Sequence, residues 1–425
     1  MTTPDLAYSR PPQRPILISV GTRPEIIKMA PVYAELHRRG LPVAWVHTGQ
    51  HREMADTLYT FFGIQPQHEV VLERRNASLA HLNALLLEGL SEVFERVQPC
   101  AVLVHGDTTS TLASAQAAFY LDIPIGHVEA GLRTGNPREP FPEEKNRELT
   151  ARLARWHFAP TAGAAANLAK EGVPAPAVHT VGNSAVDAAL AGTARLEQLL
   201  ADGTLALPAE LQALQPHLAH CQLMTVTAHR RENWGEGITN IARAVAQLLL
   251  QHDDLAVVWP VHGNPAVRDA VHAELGGLAE QLGGRLTLCP PLDYPALLWC
   301  LHRSALALTD SGGIQEEGAA LSCPVLVLRD TTERPELVEA GAGMIVGTDT
   351  ERIVRTVDQL LGDGRLLECM RQAVNPFGDG QTAARIADVL ARDLHLHIPH
   401  IPHIPHTPHT PHTASTSDLE SPTCV

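Results

Sequence analysis

Acidic side chains follow two short apolar runs in the first third of the chain. The runs are residues 101–104 and 123–128, with Asp107 after the first and Glu129 after the second. Short apolar runs bounded by turn residues are typical of buried parallel strands. The small residues of 110–120 predict a helix between them, hence a β-α-β unit. Because ligands of open α/β sheets bind beyond the carboxyl ends of the strands, both carboxylates are candidate acid/base groups.

Asp107 also has a second interpretation. An aspartate just before a helix often serves as its N-cap, accepting hydrogen bonds from unpaired backbone N–H groups. Glu129 favours the chemical interpretation. Two carboxylates at one sheet edge repel each other, and an unfavourable arrangement of this kind indicates a function. A third acidic site, Glu143–Glu144, follows a loop punctuated by Gly and Pro.

Two positive side chains accompany the first predicted strand. Residues 16–20 predict a strand and 25–39 a helix; Arg23 lies in the Gly-Thr-Arg-Pro turn between them, and Lys28 lies in the helix. A strand, a glycine turn and a helix N-terminus form a phosphate-binding geometry, because N–H groups and the helix dipole converge there. For either cation alone, a solvated surface position is the simpler interpretation.

The second half of the chain repeats this pattern. The sequence Ser311-Gly312-Gly313 connects a predicted strand to a helix, which lets backbone N–H groups approach a phosphate closely. Glu317 lies about one helical turn further, where a carboxylate could hold ribose hydroxyls. Arg334 follows the next strand and adds a cation, although an ion pair with Glu333 or Glu336 would also explain it.

His229 follows the first strand of this half and precedes two arginines. A lone histidine is more often structural than catalytic, and the residues alone leave the two interpretations balanced.

The alternation of strands and helices predicts an α/β fold. We expect two doubly wound Rossmann-like domains facing a central cleft. The predicted divisions are an N-terminal domain with the carboxylates (14–186), a second domain (187–376), a C-terminal helix (377–394) and a tail (395–425). The further predicted strands are 43–47, 156–159, 178–181, 223–227, 255–259, 285–289, 305–309, 325–328 and 344–346.

Composition limits the class of protein. The 425 residues are 44% hydrophobic and 19% charged, with a net charge of −15, which argues against a nucleic-acid partner. No apolar run approaches the roughly 20 residues of a membrane span, and the polar start predicts a cytoplasmic protein. The seven cysteines form no C-x-x-C pair, so we expect reduced thiols. We find no dinucleotide or Walker fingerprint and no metal-ligand spacing before the tail, and expect neither cofactor nor metal.

The tail repeats Ile-Pro-His and Thr-Pro-His over residues 398–412. Proline at every third position excludes a helix interior or a central strand. The pattern leaves polyproline II or disorder, and favours a solvated extension over a metal-binding histidine face.

Several motifs together resemble one enzyme family. HGDTTSTLA, VEAGLRTG and PFPEEKNR, in this order and spacing, are similar to those of the non-hydrolysing UDP-N-acetylglucosamine 2-epimerases. The resemblance runs from about residue 16 to 390. The other matching motifs are GTRPEIIKMAP, TGQHREM, TAHRRENWG, LTDSGGIQEE, LRDTTERPE and NPFGDGQ.

The resemblance implies a glycosyltransferase-B-like fold and reversible epimerisation at C2 of UDP-N-acetylglucosamine (UDP-GlcNAc) to UDP-N-acetylmannosamine. It also implies UDP as a ligand, a homodimer and a role in cell-surface polysaccharide synthesis. The implied catalytic residues are Asp107, Glu129, Glu143 and His229. The implied substrate-binding residues are Arg23, Lys28, Ser311, Gly312, Gly313, Glu317 and Arg334, and the implied activator residues are Gln50, His51 and Arg52.

Three alternatives stay open at this stage. A hydrolysing relative would release UDP and free N-acetylmannosamine. A glycosyltransferase of the same fold would need an acceptor groove where this chain has carboxylates, and a nucleotide-sugar sensor would not need the acids.

Overall fold

The computed structural model describes residues 14–50 and 52–396, so His51 and the Pro/His repeat of the tail lie outside the described residues. The chain forms two separate parallel sheets with helices packed around them, which confirms the predicted α/β fold of two doubly wound domains. Among the described residues, we find no helix with the length and apolar character needed to cross a membrane.

The first sheet has seven parallel strands in the order β3-β2-β1-β4-β5-β6-β7. Its strands are β1 (Ile16–Val20), β2 (Val43–His47), β3 (His68–Glu69), β4 (Ala101–His105), β5 (Ile125–Val128), β6 (Trp156–Ala159) and β7 (Val178–Thr180). Its helices are α1 (Arg23–Arg38), α2 (Arg52–Phe62), α3 (Leu79–Val97), α4 (Thr109–Tyr120), α5 (Glu143–Leu153) and α6 (Ala162–Lys170). The strand order reverses between β1 and β4, and such a switch point opens a crevice for ligands.

The second sheet has six parallel strands in the order β10-β9-β8-β11-β12-β13. Two helices lead to it, α7 (Ser184–Ala201) and α8 (Ala209–Leu214). Its strands are β8 (Gln222–Thr227), β9 (Leu255–Pro260), β10 (Leu286–Cys289), β11 (Ser304–Thr309), β12 (Val325–Val327) and β13 (Gly343–Ile345). Its helices are α9 (Glu236–Gln251), α10 (Pro265–Gln281), α11 (Tyr294–Arg303), α12 (Gly312–Ala320), α13 (Pro335–Glu339), α14 (Thr350–Gly362) and α15 (Gly364–Arg371).

The central strands are buried along their whole length. All five residues of β1 and of β4 are buried, as are all six of β11. Helices cover both faces of a doubly wound sheet, so these strands read as continuous apolar runs in the sequence. The cores therefore form rigid platforms from which polar loops project at the carboxyl ends.

The last helix, α16 (Thr382–Asp393), packs on α1 of the first domain. Arg39, the C-cap residue of α1, forms an ion pair with Asp388 of α16, and the Trp156 indole donates to Asp393 at 2.8 Å. The chain passes between the sheets at two adjacent points, since the Asn183 N–H donates to the Phe377 carbonyl at 2.7 Å. The predicted divisions between domains stay a prediction at the level of single residues.

Candidate active site

A cavity of about 460 Å³ lies between the two domains. It opens where the loops after β1 in the first sheet and after β8 and β11 in the second approach each other. Charged and polar side chains from both halves line it together with an apolar wall. The lining residues are Arg23, Pro24, Ile27, Lys28, Thr227, Ala228, His229, Pro260, His262, Pro291, Leu292, Tyr294, Leu297, Ser311, Gly313, Ile314 and Glu317.

Asp107 follows β4 and binds a guanidinium rather than capping α4. Thr108 is the N-cap, because its hydroxyl accepts from the Thr111 N–H at 3.1 Å. The N-cap interpretation of Asp107 was therefore wrong. Its carboxylate instead accepts from Arg147 of α5, at 2.6 Å from Nη2 and 2.8 Å from Nε. Asn146 beside Arg147 donates to the Asp107 carbonyl at 2.8 Å, which fixes the loop to α5.

Glu129 follows β5 and takes a left-handed backbone conformation, with φ of 63°. Such a conformation is costly for a residue other than glycine and is common at functional sites. Its carboxylate forms an ion pair with Lys28 and lies 3.8 Å from Nε2 of His105. Burial alone would raise the pKa of Glu129, but the Lys28 ammonium outweighs burial and holds the pKa well below its usual range. Glu129 is thus a charged carboxylate.

Lys28 also contacts the second domain. Its Nζ lies 2.9 Å from Oε2 of Glu316 on α12, and Oε1 of Glu316 accepts from Arg334 Nε at 2.6 Å. Arg334 therefore pairs with Glu316, and the pairing with Glu333 or Glu336 considered from sequence was wrong.

The turn before α1 uses its N–H groups internally. Glu25 is 2% exposed and accepts from the N–H groups of Gly21, at 2.8 Å, and Thr22, at 2.7 Å. The same carboxylate accepts from the hydroxyls of Thr108 and Thr111. These two turn N–H groups are therefore occupied by Glu25, and the charges available at this turn are the side chains of Arg23 and Lys28; phosphate binding here stays a prediction.

The N-terminus of α12 has the opposite property. The first N–H groups of a helix lack partners within it, and no hydrogen bond among the described residues uses the N–H of Gly312 or Gly313. A Cβ added to Gly312 would lie 3.9 Å from the guanidinium carbon of Arg334. Free N–H groups beside a guanidinium form an anion-binding arrangement.

Glu317 lies one turn into α12 and lines the cavity. Burial raises the pKa of its carboxyl to about 7, and the charge of Glu316 adds to this rise. The hydroxyl of Tyr294 at the same cavity is buried and has no hydrogen-bond partner in the described part of the chain. These two groups can serve sugar hydroxyls in either protonation state of Glu317.

His229 is held by the buried carboxylate of Asp310. Oδ2 of Asp310 accepts from the backbone N–H groups of His229 and Arg230, each at 2.8 Å, and Oδ1 lies 3.3 Å from Nδ1 of His229. The imidazole of His229 stacks on that of His262, with 5.7 Å between the ring centroids. Burial lowers the pKa of His229, although Asp310 opposes the shift. The other ring nitrogen is left for a ligand in the cavity.

Glu143 is half-buried at the start of α5 and has no hydrogen bond or ion pair to another described residue. Its neighbour Glu144 is 1% exposed and accepts from the N–H groups of Thr134 and Gly135, each at 2.9 Å. Glu144 therefore shapes the loop before α5. Gln50 accepts from Ser110 at 2.8 Å, and the activator site remains a prediction.

Comparison with known proteins fits this geometry. A sequence profile of the UDP-N-acetylglucosamine 2-epimerase family matches residues 34–391. The chain belongs to the UDP-N-acetylglucosamine 2-epimerase family. Membership makes the protein an epimerase, and therefore an isomerase.

The UDP-N-acetylglucosamine 2-epimerase of Escherichia coli K12 is 44% identical to this family member over 377 residues, which are 88% of this chain and 98% of that protein. The crystal structure of the Neisseria meningitidis UDP-GlcNAc 2-epimerase bound to UDP-GlcNAc superposes with a TM-score of 0.78. That protein is 39% identical, and the match covers 89% of this chain and 99% of that one. A structure of Staphylococcus aureus MnaA with UDP gives a TM-score of 0.77 at 38% identity, covering 90% and 98% of the chains.

Four residues of this epimerase that contact predicted site residues escaped the sequence analysis: His105, Arg147, Asp310 and Glu316. For Arg147 a signal existed, since its spacing from Glu143 and Glu144 places the three near each other on α5. His105, Asp310 and Glu316 act through residues distant in sequence, and only the fold brings those partners together.

Proposed function

We propose that the protein reversibly epimerises C2 of UDP-GlcNAc, giving UDP-N-acetylmannosamine. The observation that carries the proposal is that Lys28 of the cavity joins the carboxylate of Glu129 in the first domain to the Glu316–Arg334 pair of the second. Carboxylates follow adjacent strands of the first sheet, and free helix N–H groups with Arg334 and His229 come from the second. The names of the similar proteins support the same substrate.

Direct removal of the C2 proton is very unfavourable, because neither neighbouring ring carbon is a carbonyl. Loss of UDP solves this problem. A base takes the C2 proton while the C1–O bond breaks and UDP leaves with the electron pair, forming a 2-acetamidoglucal. UDP then returns to C1 while an acid protonates C2 from the opposite face. No electrons are lost, so the reaction needs no redox cofactor.

The residues supply the groups that this scheme requires. Glu129 remains ionised beside Lys28 and can accept a proton. Asp107 is held by Arg147 at the end of the neighbouring strand, and Glu143 at the start of α5 supports proton transfer. The departing diphosphate is bound by the N-terminus of α12 with Ser311, and by the side chains of Arg23, Lys28, Arg334 and His229. Glu317 holds the ribose.

Release of free N-acetylmannosamine by hydrolysis is the main alternative, and the two reactions differ in whether UDP returns. The product UDP-N-acetylmannosamine would supply cell-surface polysaccharide synthesis, and the homodimer implied by the resemblance stays a prediction.

Incubation with UDP-GlcNAc in deuterated water, without nicotinamide, tests the proposal. We expect UDP-N-acetylmannosamine as the main product, with deuterium at C2 by NMR. A product that keeps the original hydrogen at C2 would exclude elimination, and free sugar as the main product would indicate the hydrolysing reaction.

A further inference from the structure

Glu316 occupies an unusual position between the two domains. Its side chain is 1% exposed, and its two oxygens bind cations from different halves of the molecule. Lys28, at 2.9 Å, belongs to α1 of the first domain. Arg334, at 2.6 Å, belongs to the second domain and precedes α13.

The contact extends to the catalytic side of the cleft, because Lys28 also pairs with Glu129. Four charges thus alternate in the order Glu129, Lys28, Glu316 and Arg334, and they sum to zero. A buried carboxylate is costly unless cations and hydrogen bonds compensate it. Arg334 compensates Glu316 from within its own domain, whereas the second ion pair, with Lys28, forms only when the two domains lie close together.

This geometry bears on the proposed reaction. The same two cations are expected to face the diphosphate, and Glu316 forms an ion pair with each of them. Between elimination and return of UDP, the cleft must hold two separate molecules. Opening at that stage would release UDP and the glycal.

We propose that Glu316 is a positioning residue that links closure of the domains to the placement of Lys28 and Arg334. It does not touch the reacting atoms; it acts through the two cations. This inference rests on the proposed function for its effect on product release, whereas its effect on domain closure does not depend on that function.

Small-angle scattering of Glu316→Gln tests closure without any substrate. The amide keeps the size of the side chain but not the charge, so we expect a larger radius of gyration than for the wild type. Glu333→Gln is the matched control, because it removes a carboxylate close to Arg334 that does not contact Lys28. A Glu316→Gln protein as compact as the wild type would overturn the proposal.

Product analysis gives the second readout. We expect Glu316→Gln to raise the ratio of released UDP and 2-acetamidoglucal to epimerised sugar by roughly tenfold or more, since small misplacements of binding groups have large effects. Glu333→Gln should keep the wild-type ratio. Melting temperatures identify any variant that is simply unfolded. An unchanged ratio in folded, active Glu316→Gln would also contradict the proposal.

If Glu316→Gln does not fold, Glu316→Asp tests the proposal in its place. Its carboxylate is one methylene shorter and cannot reach both cations, so the same two changes are expected at smaller size, and wild-type behaviour would overturn the proposal. If the wild type does not epimerise UDP-GlcNAc, the proposed function fails, and the scattering comparison still decides whether Glu316 closes the cleft.

Discussion

Arg147 joins two carboxylates that serve different purposes. Nε and Nη2 of Arg147 bind Asp107. Nη1 lies 3.0 Å from the carboxylate of Glu144, which is buried and shapes the preceding loop. Burial alone would lower the pKa of Arg147, but Asp107 and Glu144 raise it, so the cation is permanent. Asp107 is therefore oriented by a fixed charge, which suits the acid/base role proposed for it.

Amide substitutions test the three proposed acid/base residues. Asp107→Asn, Glu129→Gln and Glu143→Gln keep shape but lose proton acceptance, so we expect turnover to fall by about 10²-fold or more. Variants lacking the second proton donor should accumulate UDP and the 2-acetamidoglucal. Steady-state rates and NMR of the products measure both effects. Glu148→Gln, on the exposed side of α5, is the control, and full activity in all three variants would refute the assignment.

The pH dependence of UDP binding tests His229. Because burial lowers its pKa below 6.5, the ring is largely neutral at pH 7. An anionic diphosphate binds the protonated ring more tightly, so the contribution of His229 to UDP affinity should grow as the pH falls through this pKa. Calorimetry from pH 5 to 8 on the wild type and His229→Gln isolates that contribution. A difference between the two proteins that does not change with pH would contradict this role.

Neighbouring strands of the first sheet carry a row of buried histidines. His127 on β5 is the register partner of His157 on β6, and His105 lies on β4. Burial lowers the pKa of His127 to about 3 and that of His157 to about 4. Both rings are therefore neutral in the folded protein at any physiological pH.

These buried histidines predict that the free energy of unfolding decreases at acidic pH. The unfolded chain protonates histidine below about pH 6.5, whereas folded His127 and His157 stay neutral down to about pH 4. The unfolded state binds more protons in this window, so the free energy of unfolding falls as the pH drops, by about 1.4 kcal/mol per pH unit for each ring. Urea titrations at pH 4.5–6.5 should show a shallower slope for His157→Gln. An equal slope would show that His157 is protonated when folded.

Periodicity predicted the central elements well because their environment is uniform. Strand 156–159 was predicted with the bounds that the structure has, since four buried residues stand between polar turns. The edge strand β3 was not predicted, because its two residues, His68 and Glu69, are polar and not fully buried. The strand predicted at 123–128 begins two residues later in the structure, at Ile125. Pro124 has no N–H group to donate to the neighbouring strand.

The candidate site was predictable where chemistry follows a strand end, and not where it depends on partners. Asp107, Glu129 and Ser311 lie just after strand ends, as predicted from the sequence, and their roles stay a prediction. The bond from the Thr22 N–H to Glu25 had a local sequence signal, because Thr22 and Glu25 form a capping box. The hydroxyls of Thr108 and Thr111 that donate to the same carboxylate were not predictable, because only the fold brings α4 to this turn. Sequence gives the charge of Lys28, but only the fold shows that carboxylates of both domains bind it.

At the scale of the whole molecule, Gly182 marks one of the two connections between the sheets. It has φ of 98°, and an added Cβ would lie 2.8 Å from Oγ1 of Thr382. We expect Gly182→Ala to lower the free energy of unfolding by about 3 kcal/mol, from strain and contact together. Gly172→Ala is the control, because its φ is also positive, at 81°, but an added Cβ would have no atom within 4 Å. We expect this variant to lose only about 1 kcal/mol of unfolding free energy. Equal losses in urea titrations would show that the contact is unimportant.

The side-by-side connections at Asn183 and Phe377 have a consequence for the modular construction of the protein. Between them, the chain builds the second sheet completely, and then α16 returns to α1. The second half is thus an insertion into the first, joined at two neighbouring points, which is the arrangement that tolerates exchange of segments. A chimera that takes this insertion from a relative would receive that relative's α12 and the loops beside it, while keeping Asp107, Glu129 and Glu143 of this chain. The nucleotide contacts proposed for α12 can therefore be exchanged without altering the residues proposed to move the proton.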